Sequence, residues 1–169
     1  MNPFAWADDH PALSTNIVAT AAFIGLRVWS YAEKSPVLLG QAEAKQRVEI
    51  YGQVTSSSVA VLAISLTVLA ILVALPDRPA INDIRDSDTW PRLQGLLMSI
   101  ALLALIALVC AHLGAGVDNA PKGREWLEQA MLASAGTAVV ALLIAGMTFW
   151  LIIRSTGEED DPSRGRGLG

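Results

Sequence analysis

Residues 51–76 read YGQVTSSSVAVLAISLTVLAILVALP, without a single Asp, Glu, Lys or Arg. At 1.5 Å rise per helical residue, a run of that length covers the ~30 Å hydrocarbon core of a bilayer. Two further runs share the property, residues 93–117 and 129–153. In lipid every backbone polar group must be satisfied within the spanning segment, and a helix does this. The expected fold is therefore all-α: a transmembrane helical bundle with three strong spans, near Ser56–Leu75, Gly95–Gly114 and Ala130–Ile153.

The rest of the chain agrees with that solvent. Hydrophobic residues make up 53% and charged residues 17%, against roughly 25% charged in a soluble domain. The charge is concentrated between the apolar blocks. A net charge of −4 and a pI near 5.1 leave no basic stripe to neutralise phosphates, so nucleic acid is not an expected partner. Nine Arg against three Lys, with abundant Ala, suggest a bacterial, GC-rich source and an inner-membrane location. Cys110 is the single cysteine, so no intrachain disulfide is expected. Residues 1–10 carry Asp8 and Asp9 where a cleavable signal would need basic residues.

The N-terminal segment admits two readings. Pro11–Leu26 is uncharged for only 16 residues, about 24 Å of helix, and it holds Ser14, Thr15, Asn16 and Thr20. It is either a fourth, shorter span or an interfacial helix over residues 11–31. The tryptophans favour a span. Trp90, Trp126 and Trp150 flank the strong segments, with Tyr51 at the remaining edge, as the aromatic belts of a bilayer require. Trp6 and Trp29 bracket the doubtful segment in the same way, and Arg27 near its end can snorkel.

The remaining parts fall into place around the spans. Residues 1–10 form a tail, and 32–153 hold the three-span bundle with its polar links. Residues 154–169 are expected to be a disordered acidic and Gly/Arg-rich tail. Gln41–Tyr51 reads as a polar helix that extends the first strong span outward, supported by Glu43 four before Arg47 and Lys45 four before Glu49. Arg124–Gln129 reads as the solvated first turns of the last span, after a loop holding Pro121 and Gly123, and Asp77–Arg92 as a short surface helix. Lys and Arg divide six to six between the two sides; giving the first loop the greater weight places Arg27–Arg47 in the cytoplasm.

Within the spans, small residues form rows. Ser56, Ala60, Ala63, Thr67, Ala70 and Ala74 are spaced four, three, four, three, four, an unbroken helical edge. Small side chains let helix backbones approach closely in lipid, where no hydrophobic drive separates a helix from its surroundings. Ala104, Ala107, Ala111 and Gly114 repeat the theme, as do Ala130, Ser134, Thr137 and Ala141. Such an edge either packs inside one bundle or holds a second chain.

Polar groups at depth are few. Ser58, Ser65, Ser134 and Thr137 are candidates to line a mild, uncharged path, or they simply bond carbonyls of their own helices. His112 ends one span, where an imidazolium is favoured without any relay. Cys110 and His112 lie about 200° apart around a helix, so they cannot share a metal. Asp8, Asp9 and His10 are more naturally solvated than chelating. No GxSxG, GxxxxGK[ST], HExxH or CxxC pattern occurs, and no carboxylate pair lies within a span. No catalytic residue, cofactor or metal is expected.

The block from Tyr51 to Trp90, YGQVTSSSVAVLAISLTVLAILVALPDRP…W, resembles small uncharacterised multi-pass membrane proteins of high-GC bacteria. The likeness covers about a quarter of the chain. It implies a helical inner-membrane protein and carries over no binding residue. The expected role is non-enzymatic: a multi-pass protein acting through helix–helix association, as a homo-oligomer or a subunit of another membrane complex. The alternative is a pore or permeabilising effector with a hydroxyl-lined path.

Overall fold

In the computed structural model, residues 10–33, 39, 42–74, 89–116 and 121–159 are described. They form four helices: α1 (Pro11–Glu33), α2 (Ala44–Ala74), α3 (Thr89–Gly116) and α4 (Pro121–Glu159). All four are long and apolar enough to cross a membrane, over Pro11–Ala32, Lys45–Ala74, Thr89–Gly116 and Glu125–Trp150. The N-terminal segment thus takes the first of its two readings. It gains length because the helix runs past Arg27 to Glu33, giving about 33 Å over 22 residues. The Arg27 guanidinium donates to the Tyr31 hydroxyl at 3.1 Å and sits 5.2 Å from the ring centroid. An aromatic one turn onward therefore holds the charge that seemed to cut the span short.

Local chemistry sets the ends. Pro11 opens α1, and the hydroxyls of Ser14 and Thr15 donate back to its carbonyl at 2.9 and 2.7 Å. Before α2, the Glu43 N–H donates to Gln46 Oε1 at 3.3 Å, half of a capping box. Pro121, expected in a loop, is instead the first residue of α4; a proline loses nothing there, since the first N–H groups of a helix have no intrahelical acceptor. Helix α4 also continues through Arg154 to Glu159, beyond the expected tail boundary. The expected surface helix over Asp77–Arg92 falls largely outside the described residues, as do the tails 1–9 and 160–169.

Helix α3 is the centre. It packs on each of the other three helices, whereas α1 lies against α3 and α4, and α2 mainly against α3. Accordingly 56% of the α3 span is buried, against 17% for α2 and 11% for α1. Two apolar clusters lie along it. Ala19, Leu96, Ile100, Leu103, Ala138, Ala141 and Ala145 join α1, α3 and α4. Nearer the other end, Leu39, Tyr51, Cys110, Ala111, Leu127 and Met131 join α2, α3 and α4.

The outside of the bundle is as apolar as its inside. Val73, Leu143 and Met147 are each more than 60% exposed, and large aliphatic side chains stand free on all four helices. In water such contiguous surface would aggregate. In a bilayer it meets chains as apolar as itself.

Candidate functional site

Helix α2 has two faces, and they divide its chemistry. Tyr51, Ser58, Ser65 and Leu72 recur every seven residues and are at most 4% exposed. With the half-buried Val54, Val61 and Val68 between them, they form the edge that meets the bundle. At 100° per residue, the row Ser56, Ala60, Ala63, Thr67, Ala70 and Ala74 lies on the opposite side. All six of its residues are exposed. The small-residue edge therefore does not pack within the bundle.

The physical reason is complementarity. Ala104, Ala107, Ala111 and Gly114 of α3 are all buried and supply the shallow surface. A flat partner accepts larger side chains, and α2 presents Tyr51, Val54 and Val61 to it beside the smaller Ser58 and Ser65. In α4, Ser134, Thr137 and Ala141 are likewise buried, and Ala130 is half-buried. The small rows of α3 and α4 pack inside the bundle, and that of α2 faces outward.

At one end of α2 lies a buried polar junction. The Tyr51 hydroxyl donates to Glu128 Oε1 at 3.0 Å, across 77 residues of sequence. Tyr51 and Glu128 are each only 1% exposed, and Gln129 is wholly buried. Tyr51 reaches α4 by lying on Gly114: a Cβ there would come within 2.8 Å of the tyrosine ring. Neither amide atom of Gln129 has a hydrogen-bond partner, at a cost of about 1–3 kcal/mol if nothing else satisfies them.

This junction corrects the expectation that Arg124–Gln129 forms solvated turns at its last three residues: Leu127, Glu128 and Gln129 are buried, whereas Glu125 and Trp126 are exposed as expected. Glu128 stands seven residues before Ala135 and three before Met131, on the face of α4 that packs. That register was present in the sequence, but a carboxylate at the edge of a span reads as solvated unless its phenol partner on another helix is known.

The four candidate lining residues are all buried, yet they do not meet. Ser58 borders a crevice of about 210 Å³ between α2, α3 and α4, together with Gln53 and Ser57. Thr137 borders a separate groove between α1 and α4. Ser65 donates to the Val61 carbonyl at 2.8 Å, and Ser134 to the Ala130 carbonyl. Two hydroxyls thus turn back on their own helices, and the other two open on different cavities.

His112 is exposed and Cys110 buried. Among the described residues no three His, Cys, Asp or Glu side chains gather as metal ligands; Asp8 and Asp9 lie outside those residues. Comparison with known protein families, curated proteins and solved structures returns no match. Fold and surface together define a class, a multi-pass helical membrane protein.

Proposed function

We propose that this is a non-catalytic membrane component that works by lateral association, with the outer edge of α2 as its contact surface. The observation that carries the reading is the exposure of all six residues from Ser56 to Ala74 along that edge. Small side chains with nothing packed on them are well suited to receive another helix closely. The first partner to consider is a second copy of this chain, and the second is a helix of another inner-membrane protein. The absence of any nucleophile–base or dyad motif from the sequence supports a role without catalysis.

Exchange of Ala63 and Ala70 for Leu tests the reading in lipid nanodiscs. Bulky side chains should hold the backbones apart and weaken self-association about tenfold, or 1.4 kcal/mol. Particles whose mass distribution is unchanged by the double exchange would remove the outer edge of α2 from the interface.

A further inference from the structure

Several hydroxyls of the spans are satisfied by their own helices. Ser56 donates to the Gly52 carbonyl at 3.0 Å, Ser65 to Val61 at 2.8 Å and Thr148 to Ile144 at 2.9 Å. Gln53, Ser57 and Ser58 differ: among the described residues their side chains make no hydrogen bond. All three border the same crevice, about 210 Å³ between α2, α3 and α4. Ser58 is only 4% exposed, yet its hydroxyl takes no carbonyl of its own helix. A polar group buried at depth without a partner is costly, and it marks a place where a further molecule can supply one.

The lining restricts what that molecule is. Among the described residues no Asp, Glu, Lys, Arg, His or Cys borders the crevice. A charged occupant would stand unpaired at membrane depth, so the occupant is neutral. Opposite the three polar groups stand Ala104, Ala135 and Ala138, whose methyl side chains make a shallow wall suited to a flat ring. The volume of about 210 Å³ equals about seven waters at roughly 30 Å³ each. Sites that enclose a whole drug-sized ligand hold roughly 300–1,000 Å³, so this one fits a ring head whose remainder lies outside. Gln53 and Ser57 are one turn apart, about 6 Å along α2, and can reach opposite edges of such a ring. Ser58 lies about 10 Å along the helix beyond Tyr51, and Ala104 falls near the middle of α3. Gln53, Ser57 and Val139 are exposed and open the crevice to the outer surface of the bundle. A compound dissolved in the bilayer reaches it from the side.

We infer that this crevice binds the headgroup of a membrane quinone, a planar neutral ring with two carbonyl acceptors and an apolar tail. The Ser58 hydroxyl donates to one carbonyl, the Gln53 amide donates to the other, and the tail leaves past Val139 into lipid. None of the six residues of the outer α2 edge borders the crevice, so the site stands apart from the association surface.

The test is native mass spectrometry of the full chain from micelles holding equal decylubiquinone and decylbenzene, which share a tail but not the carbonyls. The expected result is one retained decylubiquinone per chain, favoured about tenfold over decylbenzene. Exchange of Ser58→Ala and Gln53→Leu together should abolish that preference. Ala135→Leu should fill the crevice from α4 and lower quinone retention about tenfold. Ser57→Leu should do the same from α2, so one misfolded variant does not stop the test, and circular dichroism confirms that each is helical. Equal retention of the two compounds by the unaltered chain, or retention of neither, would overturn the quinone assignment. Quinone retention unaffected by either leucine would overturn the crevice as its site. Dioleoylglycerol, neutral but without a ring, held as tightly as the quinone would give the crevice to neutral lipid instead.

Discussion

Tyr51 shows how much one side chain can do in this bundle. Its ring covers Gly114 of α3 and its hydroxyl meets Glu128 of α4, so a single residue of α2 ties three helices. Removing the hydroxyl as Tyr51→Phe takes one donor from the buried Glu128 carboxylate, at an expected cost of about 1–3 kcal/mol. Gly114→Ala disturbs the same contact from the other side, by overpacking of about 1–3 kcal/mol. Because both act through one contact, the double variant should cost less than the sum. Thermal unfolding in one detergent measures all three, and full additivity would separate the two effects. Gln129 is the opposite case. Its amide is buried without partners, so Gln129→Met, which keeps the length and drops the polarity, should hold or raise the midpoint. A fall of several degrees would mean that the amide is satisfied by something bound there.

At the scale of elements, the helices were legible and their facing was not. Spans announce themselves through the absence of charge, and the boundary tryptophans mark their ends. Trp29, Trp126 and Trp150 are all exposed, as belt residues should be. The facing of α2 could not be read, because lipid and protein interiors are equally apolar and hydrophobic periodicity no longer tells inside from outside. Only the contacts of α3 place the edge from Tyr51 to Leu72 inward. The α1–α3 crossing illustrates the same point. Gly95 lies against Ala12, whose Cβ is 3.4 Å from where a glycine Cβ would stand. One turn on, the Ser99 hydroxyl donates to the Ala12 carbonyl at 3.3 Å. Gly95→Leu should therefore push α1 away at about 1–3 kcal/mol. Amide hydrogen exchange should then quicken over residues 12–19 and stay unchanged in α2. An equal change in both helices would mean that α1 is not held separately.

For the whole molecule, the arrangement leaves α1 and α2 on different sides of the α3–α4 pair, each with most of its surface outward. The bundle is thus built around one well-buried helix, with two peripheral helices free to meet other molecules. One of them, α1, forms the wall of a long apolar groove; the other, α2, carries the small-residue edge. Sequence alone indicated a membrane bundle with three strong spans, left the N-terminal helix open between two readings, and singled out that edge. Which side of α2 it occupied depended on contacts far apart in the chain. In the function proposed, the outer edge of α2 meets another helix. Cysteine cross-linking in native membranes tests it most directly, in a chain whose own cysteine is replaced as Cys110→Ala. With a thiol-attached photoreactive cross-linker, single cysteines at Ala60, Ala63, Thr67 and Ala70 should yield adducts to a second copy or to another membrane protein, and those at the lipid-facing Val59, Leu66 and Val73 should not. Cross-linking at neither set, or equally at both, would contradict the claim.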